Sequence, residues 1–368
     1  MRSTPPVQDP NAEHKPGQGD LLVRPATPSD IDDFYQLARL AGAGFTSLPA
    51  NEALLAERLA ASVRAFAGEP GILMLALEDR RSKSVVGCAA IKPGGEPRPD
   101  FLNFHIDGRA LRQTARYADM TEVGSLLLHP DYRNGGIGPW LARSRYLLIA
   151  ADPERFGAHI FSELRGMVVE DDRSPFYDAV CAPHFGCTFA EADDLCAHGR
   201  QAELNARLPQ APISLHGLIA EARTAMGQPH RSGRRALDYL EDEGFRFEGV
   251  VDLLDGGPAV VARLRSVKTI STAFRARLRA GRLDEAVARP AYLALGSGMD
   301  YRCCRASVEM QDETLVCSPE QIALLGAHQG AVARVFLTDD GKARESRDIR
   351  QPALSRPKTL AELDAILD

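Results

Sequence analysis

Residues 122–138 read EVGSLLLHPDYRNGGIG, an apolar strand that runs straight into a glycine loop, and an apolar helix to about Ala151 follows without a break. Strand, glycine loop, helix is a phosphate-binding arrangement. Glycines let the backbone approach a ligand, and the unpaired amides of a helix N-terminus favour an anion. The loop Arg133-Asn134-Gly135-Gly136-Ile137-Gly138 fits R-x-x-G-x-G. It is not a Walker A loop, since no Gly-Lys-Ser/Thr follows, nor a dinucleotide G-x-G-x-x-G. On these residues alone it reads either as a phosphate cradle or as a plain glycine turn.

What precedes the loop narrows the choice. Leu21 to Pro25 is a short apolar strand, Thr27-Pro28-Ser29-Asp30 supplies capping chemistry for a helix through about Leu40, and Ala50 to Phe66 has helical apolar spacing. Gly71 to Leu77 and Val85 to Ile91 form a hairpin around a charged turn. One further strand is expected near Phe101 to Ile106 in an otherwise irregular segment. After the loop helix come a strand within Ala158 to Val169, a short helix from Ser174-Pro175, a strand at Phe185 to Phe189, a helix from Ser214 to Met226, and a helix from Arg234 that ends at Gly244 before a strand at Phe245 to Leu253. Asp255-Gly256-Gly257-Pro258 marks a turn and a boundary. The β-rich segments beyond it, Val260 to Leu264, Ala291 to Leu295 and Ala331 to Leu337, predict a small barrel-like domain. The organisation is therefore an α+β fold, with a tail at 1–19, a main domain at 20–258 and a β-rich domain at 259–368.

Composition excludes other classes. The 368 residues carry Lys+Arg 44 against Asp+Glu 50, a net charge of -6 that gives no global attraction to nucleic acid. No apolar stretch approaches the roughly 18 residues of a membrane helix. The N-terminus is polar and Pro-rich without an apolar signal region, so the cytoplasm is the expected compartment. Seven cysteines without a C-x-x-C pair read as free thiols rather than a disulfide framework or zinc site, and no metal is expected. A basic run between Val261 and Arg282 reads as a solvated helix face, and Trp140 as a packing residue.

The βααβββ order and R-x-x-G-x-G resemble the GNAT superfamily of acyl-CoA N-acyltransferases, over roughly residues 20–190. Further blocks, Phe45-Thr46-Ser47-Leu48-Pro49-Ala50-Asn51-Glu52, Leu126-Leu127-Leu128-His129-Pro130-Asp131-Tyr132-Arg133, Ser174-Pro175-Phe176, Gly227-Gln228-Pro229-His230 and Asp255-Gly256-Gly257-Pro258, are similar in content and order to the arginine N-succinyltransferase family. The resemblance implies succinyl transfer from succinyl-CoA to the α-amine of L-arginine, with ornithine as an alternative acceptor, in arginine catabolism. It also implies a homodimer or a hetero-oligomer with a paralogous subunit.

By the same resemblance, His230 is the proton donor, and Leu126, Leu128, Arg133, Gly136 and Gly138 hold CoA. Glu122 stands where many acetyltransferases of the superfamily place a carboxylate that accepts the amine proton, and Asn51 and Glu52 stand where substrate amines approach. Each also has a plainer reading. His230 could flank a helix at the surface, Leu126 could be a core residue, Glu122 a solvated strand end, and Asn51 and Glu52 a cap with its first-turn charge. The family's usual Glu-Val-His-Pro is here Gln228-Pro229-His230-Arg231. An acyltransferase for a different small amine and a non-catalytic CoA-binding subunit are the competing functions.

Overall fold

The computed structural model describes residues 20–41, 48–169, 173–312 and 314–338. The expected tail at 1–19 and Phe45 to Ser47 lie outside the described residues. Strand β1 (Leu21–Pro25) leads into α1 (Ile31–Ala41) and α2 (Glu52–Phe66), then the hairpin β2 (Leu73–Asp79) and β3 (Ser84–Lys92). A second hairpin, β4 (Asn103–Asp107) and β5 (Ala110–Thr114), precedes β6 (Thr121–Leu128), the loop helix α3 (Ile137–Ala151) and β7 (His159–Glu163). Four short helices follow, α4 (Pro175–Val180), α5 (Ala182–Phe185), α6 (Phe189–Ala197) and α7 (Gln201–Asn205). Beyond them come β8 (Ile213–Ser214), α8 (Ala220–Ala225), α9 (Arg234–Asp242), β9 (Arg246–Asp252) and β10 (Pro258–Arg263). The described residues end with α10 (Lys268–Thr272), β11 (Phe274–Ala280), β12 (Arg289–Leu295), β13 (Arg302–Gln311), β14 (Thr314–Cys317), α11 (Pro319–Leu324) and β15 (Val332–Leu337).

The strands share one sheet in the order β12-β15-β11-β14-β13-β1-β2-β3-β6-β7-β10-β9-β4-β5-β8. A further pairing of β12 with β13 closes the first five into a ring, so a small barrel is joined to the main sheet by the β13–β1 contact. On one face of the main sheet α3 packs with α9 around Trp140, Leu141, Leu147 and Leu240; on the other, α1 and α2 pack through Phe34, Leu37, Leu55 and Leu59. Trp140 is fully buried, and its indole N–H donates to Cys303 Sγ of the barrel at 3.4 Å.

The junction of β6 and β7 positions the site. These two strands run parallel but pair only at Thr121↔Ile160 and Glu122↔Phe161, after which they diverge. On the other side of β6 the pairing with β3 slips between Cys88 and Ala90, and Ser125 takes a left-handed φ of 50°. That is a bulge, which bends β6 away from β7 and opens a wedge. A residue such as serine holds that conformation at a cost of about 1–3 kcal/mol, a cost characteristic of functional backbone.

Several expectations are corrected. The segment 103–114 is a hairpin rather than one strand. Phe185 to Phe189 is not a strand: α5 stops at left-handed Gly186, and Thr188 opens α6 through a capping box with Glu191. The helix expected from Ser214 to Met226 is only Ala220–Ala225. Val260 to Leu264 does form strand, but in the main sheet between β7 and β9 rather than in the barrel. The basic run is mostly not helical: Arg275 and Arg277 of β11 face solvent in alternation with buried Ala276 and Leu278, the period of a strand.

Candidate active site

A cavity of about 600 Å³ fills the wedge. Its lining includes Leu126 to Leu128 of β6, Arg133 of the loop, Pro139, Ala142, Arg143 and Arg145 of α3, Glu163 to Arg165 at the end of β7, and His230. Of the residues singled out in the sequence, Glu122, Leu126, Leu128, Arg133 and His230 are thus brought to one place. Gly136 lies beside it at the end of the loop, and Gly138 in the first turn of α3.

At one end stands the loop. Gly135 and Gly136 both take left-handed conformations, with φ of 64° and 74°, and Gly136 caps the N-terminus of α3. At Gly136 the space is open: a Cβ there would meet nothing nearer than Arg305 Nη2 at 3.9 Å. Arg133 turns back and donates from Nε to Leu128 O (3.1 Å), while Arg305 of the barrel donates to Gly135 O (2.6 Å). The loop is held from both sides with its first-turn amides ahead of the helix, a geometry suited to a pyrophosphate. On β6, the residues beyond Glu122 have no ladder partner on the β7 side, so their main chain borders the cavity.

The face of the sheet away from α3 is acidic. Val123 belongs to the core around α3, so strand alternation turns Glu122 to the opposite face; Phe161, which packs with Tyr117 and Val250, places Glu163 likewise. Glu122 accepts from Lys92 Nζ (2.9 Å) and Arg98 Nη1 (2.5 Å). Burial alone would raise its carboxyl, but these two cations outweigh it and hold the group below the usual carboxylate range. Among the described residues Glu163 makes no ion pair, and the field of Lys92 offsets its burial only in part. It accepts from Asn103 Nδ2 (2.7 Å), and burial, together with the charges of Asp252 and Glu122, pushes it up to about 8. Asp255 completes the group, pushed up to about 8 by burial and by neighbouring Asp252.

The turn at 255–258 is built into this site. Asp255 accepts from the amides of Gly166 (2.7 Å) and Gly257 (2.8 Å). The approach tolerates no side chain, because a Cβ on Gly257 would lie 2.0 Å from Leu164 O and one on Gly166 2.3 Å from Asp255 O. The same seam carries His230, whose amide donates to Arg165 O (2.7 Å) next to a bridge between Gly166 and Pro229. Ser232 N donates to His230 Nδ1 at 3.3 Å, with Ser232 Oγ 2.7 Å from the same atom. A backbone N–H can only donate, so Nδ1 accepts and the proton of the neutral ring sits on Nε2.

Asn51 and Glu52 are not brought into the cavity. Both are exposed, and Asn51 Oδ1 accepts from Leu54 N (3.1 Å) as the cap of α2. The sequence reading missed Glu163, Asp252, Asp255 and Arg145. A signal existed for two of them, a carboxylate inside an otherwise apolar strand (HIFSEL) and an arginine pair inside an apolar helix (LARSRYLLIA).

A mixed sheet opened by a bulge, with a glycine loop at the wedge and a helix running back beneath it, defines a GNAT-like acyl-CoA N-acyltransferase. Comparison with known proteins specifies it further. The family described as "Arginine N-succinyltransferase beta subunit" matches residues 21–269. The arginine N-succinyltransferase of Yersinia enterocolitica is 32% identical over 336 residues, covering 86% of this chain and 97% of that protein, and the one from Escherichia coli is 29% identical over 334 residues with the same coverage. The structure of arginine/ornithine succinyltransferase subunit AI from Pseudomonas aeruginosa superposes with a TM-score of 0.77 at 26% identity, covering 86% of this chain and 98% of that one. The chain belongs to the arginine N-succinyltransferase family.

Proposed function

We propose that this chain transfers the succinyl group of succinyl-CoA to the α-amine of L-arginine, with ornithine as a second acceptor, and that it does so in the cytoplasm as a homodimer or paired with a paralogous chain. The observation that carries the reading is the division of one cavity: an anion-binding loop and open strand edge at one end, and Glu122, Glu163, Asp252 and Asp255 on the opposite face. An amino acid with a cationic side chain matches the acidic face. The names of the relatives supply the same pair of substrates.

In this account the loop amides with Arg133, Gly136 and Gly138 hold the CoA phosphates, and the main chain at Leu126 to Leu128 aligns the pantetheine arm. The thioester supplies the activated carbonyl. The α-amine attacks it, the C–S bond breaks, and one proton must leave the nitrogen while one reaches the sulfur. Glu163 accepts the amine proton, since a carboxyl near 8 is matched to that exchange; His230, whose Nδ1 accepts, hydrogen-bonds from Nε2 to the departing thiolate, which then takes its proton from the Glu163 carboxyl. Glu122, ion-paired on both oxygens, stays ionised and fixes the acidic face rather than shuttling the proton.

Thiol release from succinyl-CoA tests this, with arginine, ornithine and lysine as acceptors. Turnover with arginine and ornithine is expected, and His230→Ala should lower kcat by about 10²–10⁴-fold. Silence of the folded wild-type protein with every amine, despite succinyl-CoA binding, rejects the reading.

A further inference from the structure

Helix α3 is buried on nearly every side, with Trp140, Tyr146, Leu147 and Ile149 at 1% exposure or less. It nevertheless carries a cation in its middle, Arg145, which is 3% exposed. A buried charge is costly unless it meets an opposite one. The two hydrogen bonds of Arg145 go to neutral carbonyls, Nε to Ala142 O (3.1 Å) and Nη1 to Gly124 O (3.2 Å). Its guanidinium also lies 5.7 Å from the centre of the Tyr146 ring. The acid whose field reaches it, Glu243, is already occupied: it accepts from Arg143 Nε (2.7 Å), Thr269 N (2.8 Å) and Thr269 Oγ1 (2.9 Å). Among the described residues, Arg145 has no carboxylate within ion-pair distance.

The place of Arg145 bears on which anion would suit it. It lines the cavity, and the carbonyl it holds belongs to Gly124, two residues past the last rung between β6 and β7. It therefore stands at the apex of the wedge, on the α3 side of the sheet, with the glycine loop and away from the acidic face. An acyl chain whose thioester lies along β6 would direct its far end here. A guanidinium has five N–H donors, so three remain after the bonds to Ala142 and Gly124, enough for bidentate contact with a carboxylate.

We propose that Arg145 binds the free carboxylate of the succinyl group and thereby selects a dicarboxylic acyl donor over neutral ones. The inference deepens the proposed succinyl transfer and rests on it. Selection acts in both directions: a succinyl carboxylate neutralises the buried cation, whereas a neutral acyl chain leaves it without a counter-ion.

The test is titration of the full-length protein with succinyl-CoA and with butyryl-CoA, which has the same acyl length and no carboxylate, in wild type, Arg145→Met and Arg145→Lys. Wild type should prefer succinyl-CoA by about 100-fold. In Arg145→Met the preference should fall below about 3-fold with butyryl-CoA affinity kept or improved, and Arg145→Lys should retain an intermediate preference. An undiminished preference in Arg145→Met and Arg145→Lys overturns the inference while leaving succinyl transfer standing; equal loss of both donors overturns it in favour of a structural role. If the variants instead weaken arginine relative to argininamide, which lacks the α-carboxylate, the residue reads the acceptor and the inference fails. Absence of any preference in wild type rejects the succinyl reading itself. Should Arg145→Met not fold, the wild-type and Arg145→Lys titrations decide between these outcomes.

Discussion

Two carboxylates on one face of the wedge are driven in opposite directions by their neighbours. Glu122 is kept ionised by Lys92 and Arg98, whereas Glu163 is pushed up to about 8 by burial, Asp252 and Glu122. Because the folded-state value of Glu163 lies above its unfolded one, its protonated form stabilises the fold below about 4.5, and that contribution is lost as pH rises through about 8. Glu163→Gln should therefore lose less Tm between pH 5 and pH 9 than wild type, and scanning calorimetry across that range checks it. The same variant should lower kcat by about 10²-fold or more and flatten the rise of kcat with pH toward 8, if Glu163 is the base. Glu122→Gln should instead destabilise by about 2–3 kcal/mol in urea unfolding, since it leaves two partly buried cations without their acid. The motif residues His230, Leu126 and Arg133 were legible in the sequence because they sit in blocks with a recognisable order. Glu163 and Arg145 were not, since a charge in an apolar run gains its meaning from groups that other elements bring to it.

Local chemistry made most of the elements readable. Asn51 caps α2, Ser174 caps α4 with proline at its first turn, and Gly244 stops α9 with a φ of 100°. Two errors had local signals of their own: the capping box of Thr188 and Glu191 announces α6, and alternation in Phe274–Ala280 announces a strand. The place of β10 beside β7 had none, because that pairing joins residues about a hundred positions apart in the chain, whereas its pairing with β9 is a local hairpin. The turn before β10 was read as a boundary, yet it docks on the end of β7 and aims Asp255 into the cavity. Gly257→Ala should therefore cost about 3 kcal/mol or more and lower activity, as a Cβ there would strike the Leu164 carbonyl; thermal unfolding and turnover together check it. Gly136→Val forces a β-branched residue into a left-handed conformation at the loop and should raise KM for the CoA thioester more than it lowers kcat.

Across the whole molecule the barrel is tied to the catalytic lobe. Tyr301 is buried and donates to Ser144 O of α3 (2.6 Å), Arg305 holds Gly135 O, and Tyr292, Phe336 and Cys303 belong to the core that surrounds α3. We propose that the two lobes unfold as one unit, so calorimetry should show a single transition, and Tyr301→Phe should lower its Tm through about 1–2 kcal/mol of lost hydrogen bonding. Two separate transitions would contradict this coupling. The α+β class and the small barrel were legible in the sequence, whereas the strand β13–β1 junction that fuses them was not. The central claim is that this wedge joins a succinyl group to the α-amine of arginine. Mass spectrometry with fragmentation of the product formed from succinyl-CoA and arginine tests it most directly. The account predicts a single succinyl amide on the α-nitrogen, formed in step with free CoA and lost in His230→Ala. A product acylated elsewhere, or CoA released without any amide, would contradict it.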